Sequence, residues 1–159
     1  MSATPIAAAS RYFRRGVTKV YWVPTISAPA SPTRVELDAG TDLSDEVAAI
    51  DGWEVTSDTV ETPALGSLFN GKINGTISAD DSSLTLYADK TSSDVRTLLP
   101  RGTTGYVVWM DEGDVAGQLM DVFPVQVVSV PKQREMDNPA QIQVNFAVTR
   151  EPEEDVTIP

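Results

Sequence analysis

The sequence predicts a mainly β domain, sandwich-like or barrel-like, with one short α-helix at about 92–99, a long irregular loop and an extended N-terminal arm. Three observations predict it. Residues 71–110 run strand, turn, strand, short helix, strand with almost no slack between elements. Val17-Thr-Lys-Val-Tyr-Trp-Val23 is β-branched or aromatic at most positions, the composition a pleated strand packs best. Gln141-Ile-Gln-Val-Asn-Phe-Ala-Val-Thr149 alternates polar and apolar side chains, which an extended chain puts on opposite faces.

Residues 1–16 read as an arm: small and Pro-containing, then Arg11-Tyr12-Phe13-Arg14-Arg15 before Gly16. The strand at 17–23 ends at Pro24, and 25–33, with two further prolines, reads as loop. Arg34-Val-Glu-Leu-Asp38 reads as a short strand. Residues 39–70 are the least regular stretch. Asp45–Ile50 reads as a helical turn capped by Ser44 or Asp42, and Gly52–Ser57 as a strand leading to a loop at Thr62-Pro-Ala-Leu-Gly66. The apolar residues Leu43, Val47, Ile50, Trp53, Leu65, Leu68 and Phe69 argue against disorder there. They point to an interaction loop, about 36–70, that packs on something.

From Lys72 the alternation sharpens. Ile73, Gly75, Ile77 and Ala79 face one way, expected to be the core, and Lys72, Asn74, Thr76 and Ser78 face the other. Asp80–Ser83 reads as a turn reversing the chain into Leu84, Leu86 and Ala88. Ser92 or Ser93 is positioned to cap the helix, whose Val95, Leu98 and Leu99 share one side. Pro100 and Gly102 stop it. Gly105–Met110 is an apolar strand, Gln118–Val130 a long one bent at Pro124, and 131–139 a polar loop. Residues 17–149 thus form a single domain, followed by an acidic tail at 150–159.

Composition excludes much chemistry. With no cysteine and no histidine, the chain has no disulfide, no thiolate or imidazole metal ligand, and no Ser-His-Asp triad. The acidic turns Asp80-Asp81 and Asp111-Glu112…Asp114 lack the ligand spacing of an EF-hand. Gly71…Gly75 and Gly102…Gly105 are followed by no Gly-Lys-Ser/Thr. The expectation is therefore no enzyme, no catalytic residue, no metal and no cofactor. No apolar stretch approaches the roughly 20 residues a bilayer-spanning helix needs, so no membrane partner is expected. The arginines follow the small apolar residues of the N-terminus, the wrong order for a signal peptide.

Net charge is −11, and it is segregated. Through residue 34 every charged side chain is basic: Arg11, Arg14, Arg15, Lys19 and Arg34. From 35 to 70 every one is acidic: Glu36, Asp38, Asp42, Asp45, Glu46, Asp51, Glu54, Asp58 and Glu61. One reading is solvated loops. The other is self-complementarity, a basic segment of one copy meeting an acidic segment of the next. A nucleic-acid binder would need a net basic face, and this chain should repel nucleic acid. Trp22, Trp53 and Trp109 read as core or interface anchors. Two strands carry a polar, mostly uncharged face, Asn74, Thr76 and Ser78 on one and Gln141, Gln143 and Asn145 on the other. Either is the solvent face of a half-buried sheet or the lining of a water-filled channel.

Taken in order, the arm, the Gly16–Val23 strand, the acidic segment holding Asp51-Gly-Trp-Glu54, the Asn70–Ser78 segment, the 92–99 helix with Pro100-Arg-Gly-Thr-Thr-Gly105, and the Gln141–Thr149 strand resemble the major tail proteins, or tail tube proteins, of long flexible-tailed bacteriophages. The resemblance implies a structural virion protein. Six copies would form a ring, and rings would stack into the tube through which DNA is ejected. It implies homo-oligomeric partners, together with tape measure, tail terminator and baseplate or distal tail proteins. DNA would transit without specific binding. The protein would reside in the virion tail, and in the host cytoplasm before assembly. On this resemblance the contacts between copies are expected at Arg11, Tyr12, Phe13, Arg14, Arg15, Glu36, Asp38, Asp42, Asp45, Glu46 and Trp53. The lumen is expected to be lined by Asn74, Thr76, Ser78, Gln141, Gln143 and Asn145. A tube protein of a contractile injection system, a tail-completion ring protein, and a monomeric β-sandwich binding module are the alternatives.

Overall fold

The computed structural model of the protein describes residues 2–159. In chain order its elements are β1 (Lys19–Val23), α1 (Arg34–Asp38), β2 (Thr41–Asp42), β3 (Val47–Asp51), β4 (Val55–Thr62), β5 (Gly71–Ala79), β6 (Ser82–Tyr87), α2 (Val95–Leu98), β7 (Thr104–Met110), β8 (Leu119–Ser129), β9 (Lys132–Gln133), β10 (Gln141–Val148) and β11 (Glu153–Thr157). The fold is mainly β, as expected, and it is an open, sandwich-like arrangement rather than a closed barrel. Nine strands form one antiparallel sheet in the order β2-β1-β7-β8-β10-β6-β3, with β11 added to β8 and β9 to β10. β4 and β5 pair only with each other, as a separate two-stranded ribbon.

The alternation of the central strands explains the layering. Val20 and Trp22 of β1, Val107 and Trp109 of β7, and Phe123, Val125 and Val127 of β8 point into one core. There they meet Leu84 and Leu86 of β6, Ile142, Val144 and Phe146 of β10, and Val95 and Leu99 at α2. The intervening Val108, Met110, Met120 and Val122 point the other way, into a second core closed by Leu37 of α1 and by Val156 and Ile158 at the C-terminus. A strand buried on both faces reads as a continuous apolar run rather than an alternation, which is why Gly105–Met110 looks so apolar. Gly105 sits where β7 passes under Trp22. A Cβ there would lie 2.6 Å and 2.7 Å from the indole ring.

Several segments differ from the sequence reading. Residues 34–38 are helical, not extended, because Thr33 and Glu36 form a capping box. The Thr33 side chain accepts from the Glu36 backbone N–H, and the Glu36 carboxylate accepts from the Thr33 N–H at 2.8 Å. Glu36 also accepts from the Ser27 N–H at 2.7 Å. Residues 47–51 are a strand pairing with β6 rather than a helical turn. Asp94, not Ser92 or Ser93, caps α2, accepting from the Arg96 N–H at 3.0 Å. The last ten residues contain β11, whose register on β8 places Val156 opposite Met120 and seats it in the second core, so the acidic run has an apolar anchor.

The capping box makes a testable prediction. Hydrogen bonds from the Thr33 and Ser27 backbone N–H groups hold the Glu36 carboxyl down at about 2, against an ordinary value of 4.5. A folded-state pKa below the unfolded one stabilises above the unfolded value, and that contribution is lost as pH falls through the folded one. Stability supplied by Glu36 should therefore disappear between about pH 4.5 and 2. Denaturant titrations across that window should fall less steeply for Glu36→Gln than for the wild-type chain. Thr33→Ala should cost about 0.5–2 kcal/mol at neutral pH.

Candidate assembly interface

The β4–β5 ribbon is built from two strands that stand clear of the main sheet. Paired residues share a face, so Val60 with Ile73 and Ser57 with Ile77 lie on one side, joined by Val55 with Ala79 and by Gly71 and Gly75. Thr56, Thr59 and Glu61 of β4 and Lys72, Asn74, Thr76 and Ser78 of β5 lie on the other. The ribbon is therefore amphipathic across its thickness. Its apolar side has no second layer: Val60, Ile73 and Ile77 are all more than half exposed. The expected inward turn of Ile73 and Ile77 thus does not occur. β5 and β6 belong to different sheets, and Asp80-Asp81 links them instead of closing a hairpin. The true hairpin loop is 63–70, and its tip carries Leu65 and Leu68 at 108 % relative exposure and Phe69 at 79 %. An isolated two-stranded hairpin is marginal in water, and an apolar patch of this extent marks a surface that another molecule covers.

The ribbon joins the body at a strained junction. Gly52 (φ 79°) and Trp53 (φ 66°) are consecutive left-handed residues between β3 and β4. Their turn swings the chain off the main sheet while Trp53 stays behind. Its backbone N–H donates to Ser82 Oγ at 2.9 Å and its indole N–H to the Ser83 carbonyl at 3.1 Å. Its ring packs 5.3 Å from Phe123, 5.4 Å from Phe146 and 5.6 Å from Trp109. Trp53, expected at a contact between copies, is in this chain the anchor that fixes the ribbon's root.

The outer face of β10 bears the second polar row. Gln143 donates to Asn145 Oδ1 at 3.1 Å and to Ser83 Oγ at 3.3 Å. Asn145 donates to Ser129 Oγ at 2.8 Å, and Gln133 donates to Gln143 Oε1 at 3.3 Å. Asp51, Ser83, Asn145 and Ser129 share one row across β3, β6, β10 and β8, and Ala49, Thr85 and Gln143 the next. This wall is polar, nearly uncharged and satisfied by its own side chains. Gln141 lies on the same face opposite Tyr87. Gln141, Gln143 and Asn145 are brought together here; Asn74, Thr76 and Ser78 sit on the ribbon, a different sheet.

The remaining expected contact residues divide into two groups. Glu36 is spent on the capping box, and Asp38 accepts from Arg34 at 2.8 Å. Asp42 pairs with Lys19 at 3.1 Å. Arg34 is also bidentate to Asp114, at 2.5 Å and 2.7 Å, which holds the Asp114 carboxyl below its usual range. Arg14 pairs with Asp111 and pins the root of the arm. By contrast Arg11, Arg15, Asp45 and Glu46 are exposed and make no ion pair among the described residues. Phe13 is 89 % exposed and Tyr12 about half. The arm ahead of them has no regular structure. Among the described residues no three Asp or Glu side chains gather as a metal site.

A family model described as phage tail tube protein matches residues 6–159. No curated protein sequence matches the chain. Among solved structures, a chain of the anti-feeding prophage baseplate, a six-fold symmetrised cryo-EM structure, is similar with TM-score 0.56 and 10 % identity, covering 95 % of both chains. The Dit (gp 19.1) protein of SPP1 gives TM-score 0.41 and 16 % identity over 84 % of this chain and 50 % of that one. An Hcp protein gives 0.44 and 10 % over 83 % and 88 %. Of these, the anti-feeding prophage chain alone has a TM-score above 0.5, and at 10 % identity it bears on the fold alone.

Proposed function

The chain belongs to the phage tail tube protein family, a structural component of the virion tail, and from that premise we propose that its copies close into six-membered rings that stack as the wall of a DNA conduit. The observation that carries this is the uncovered ribbon. One side of it is apolar and unmatched within the chain, and the other is polar. A neighbouring copy covering the Val60–Ile73–Ile77 side would bury that surface and leave Asn74, Thr76 and Ser78 facing open water. Gly71 and Gly75, on the buried side, permit close approach of the neighbour's backbone. The polar row of Gln141, Gln143 and Asn145 would continue the same water-facing wall.

Such a wall suits passage of DNA. Affinity for a phosphate backbone is chiefly electrostatic, and a chain of net charge −11 offers none. Uncharged amides and hydroxyls satisfied by one another give a strand of DNA nothing to hold. The protein would act by shape alone, with no catalytic step. A second reading, the tube protein of a contractile injection system, shares the fold of the anti-feeding prophage chain, and co-purification of a sheath protein would distinguish it. Negative-stain electron microscopy of the concentrated protein is the direct test. Rings or striated tubes are expected, and a monomer at every concentration would sink the proposal.

A further inference from the structure

A cavity of about 420 Å³ opens beside α2, between that helix and strands β2 and β6. Its volume lies in the range, about 300–1,000 Å³, of pockets that receive a ligand group. Its lining joins the apolar Leu43, Leu86, Val95 and Leu98 to the exposed acids Asp42, Glu46 and Asp89 and to Asp94, whose side chain is nearly buried. Two of these acids are neutralised within the chain, Asp42 by Lys19 and Asp94 by Arg96. Glu46 and Asp89 have no cationic partner among the described residues. The groove is thus apolar below and negatively charged at the rim.

The same chain carries one segment of the opposite character. Arg11-Tyr-Phe-Arg-Arg15 presents two exposed aromatic rings between arginines, and Arg11 and Arg15 have no acidic partner among the described residues. Arg14 is tied to Asp111, and the Val17 and Thr18 N–H groups donate to the Arg14 carbonyl at 3.1 Å and 2.9 Å. The base of the arm is therefore fixed, while in the single copy residues 2–13 have no regular structure and are exposed.

We infer that the groove floored by Leu43, Leu86 and Leu98 receives the Arg11–Arg15 segment of a second copy, Phe13 seated on the apolar floor and Arg11 and Arg15 against Glu46 and Asp89. This rests on the reading of the chain as a self-assembling tube protein. Charge chooses the occupant. The other exposed apolar segment, the 63–70 tip, carries no charged residue, and the charges that flank it, Glu61 and Lys72, pair with each other at 3.7 Å, so nothing in it answers the acidic rim. The pairing also explains the segregation of charge along the sequence: the basic block supplies the arm and the acidic block half of its receptor.

The chain has no cysteine, so an introduced pair gives an unambiguous readout. The full chain carrying Tyr12→Cys and Thr41→Cys, with Phe13 kept, should, once assembled and oxidised, run on a non-reducing gel as a ladder of covalent multimers with loss of the monomer band. Thr97→Cys in place of Thr41→Cys should do the same from the helix side of the groove. Tubes visible by electron microscopy with no ladder from either pair would overturn the pairing and leave the tube reading standing. A disulfide confined to single chains would overturn it too, as would a ladder from Phe69→Cys with Thr41→Cys and none from Tyr12→Cys. Absence of rings or tubes in the unsubstituted chain would remove the tube reading and the pairing together. An independent readout uses charge alone. Arg11→Glu with Arg15→Glu should abolish assembly while leaving a folded chain, and adding Glu46→Arg should restore part of it. Normal tubes from the arm reversal would contradict the inference.

Discussion

Leu65→Ser, Leu68→Ser and Phe69→Ser introduced together are expected to leave a folded chain that does not assemble. These side chains contribute nothing to the monomer's core, being among the most exposed in the molecule. Surface changes of this kind usually alter stability by less than about 0.5 kcal/mol. In an assembly each would be covered, and full burial of a Leu or Phe side chain is worth about 1.5–3 kcal/mol. Losing three at every contact weakens association by orders of magnitude, since each 1.4 kcal/mol or so is about tenfold in affinity. A ring-and-tube structure multiplies that loss over many contacts. Sedimentation velocity should show a single slow species with an unchanged circular dichroism spectrum and melting temperature. Tubes of normal length from the triple variant would contradict this role for the tip, and a lowered melting temperature would show that the loop supports the monomer instead.

The second large effect lies in the core. Trp22 is nearly fully buried, stacks on Phe146 with centroids 6.3 Å apart, and rests directly over Gly105. Trp22→Ala should cost about 3–5 kcal/mol. Gly105→Ala should cost about 1–3 kcal/mol by overpacking, because its new methyl would press on an indole that Phe146 holds in place and on the Val23 carbonyl 3.1 Å away. The two changes are not additive. With the indole gone the methyl enters vacated space, so the double variant should be less destabilised than the sum, with a coupling of about 0.5–3 kcal/mol. Denaturant unfolding of the four chains measures this directly. Simple additivity would mean that Trp22 moves aside freely and that the contact is not tight.

The parts of this architecture that could be read from residues are those where the side-chain pattern matches the burial. Strand β10 could be, because Ile142, Val144 and Phe146 meet a core on one face only. β1 and β7 could be from composition, although burial on both faces erased their alternation. α1 was hidden because Arg34–Asp38 is a single turn whose stability comes from the Thr33–Glu36 box and the Leu37 anchor rather than from periodicity. The ribbon was half legible. The alternation of β5 was plain, yet it implied a core that the described residues do not place over Ile73 and Ile77. β4 was obscured by a register shift between Ser57 and Thr59 and by its many Thr, Ser and Asp residues. In the candidate interface, the charged residues were visible as blocks of sign. The pairing of Asp42 with Lys19 depends on a tertiary contact that spacing does not encode, and that of Asp38 with Arg34, at i,i+4, on a helical turn where the sequence reads as a strand. Trp53 read as a core or an interface anchor without a choice between them; the left-handed turn at Gly52 sets its ring against Phe123, Phe146 and Trp109.

The central claim is that the ribbon's apolar side lies between copies and its polar side faces a channel. A helical reconstruction by cryo-electron microscopy of tubes grown from the purified protein tests it most directly. The account predicts Val60, Ile73 and Ile77 buried against a neighbouring copy, with Asn74, Thr76 and Ser78, and with them Gln143 and Asn145, lining the lumen. A reconstruction placing those polar rows on the outer wall, or the apolar side toward the channel, would contradict it.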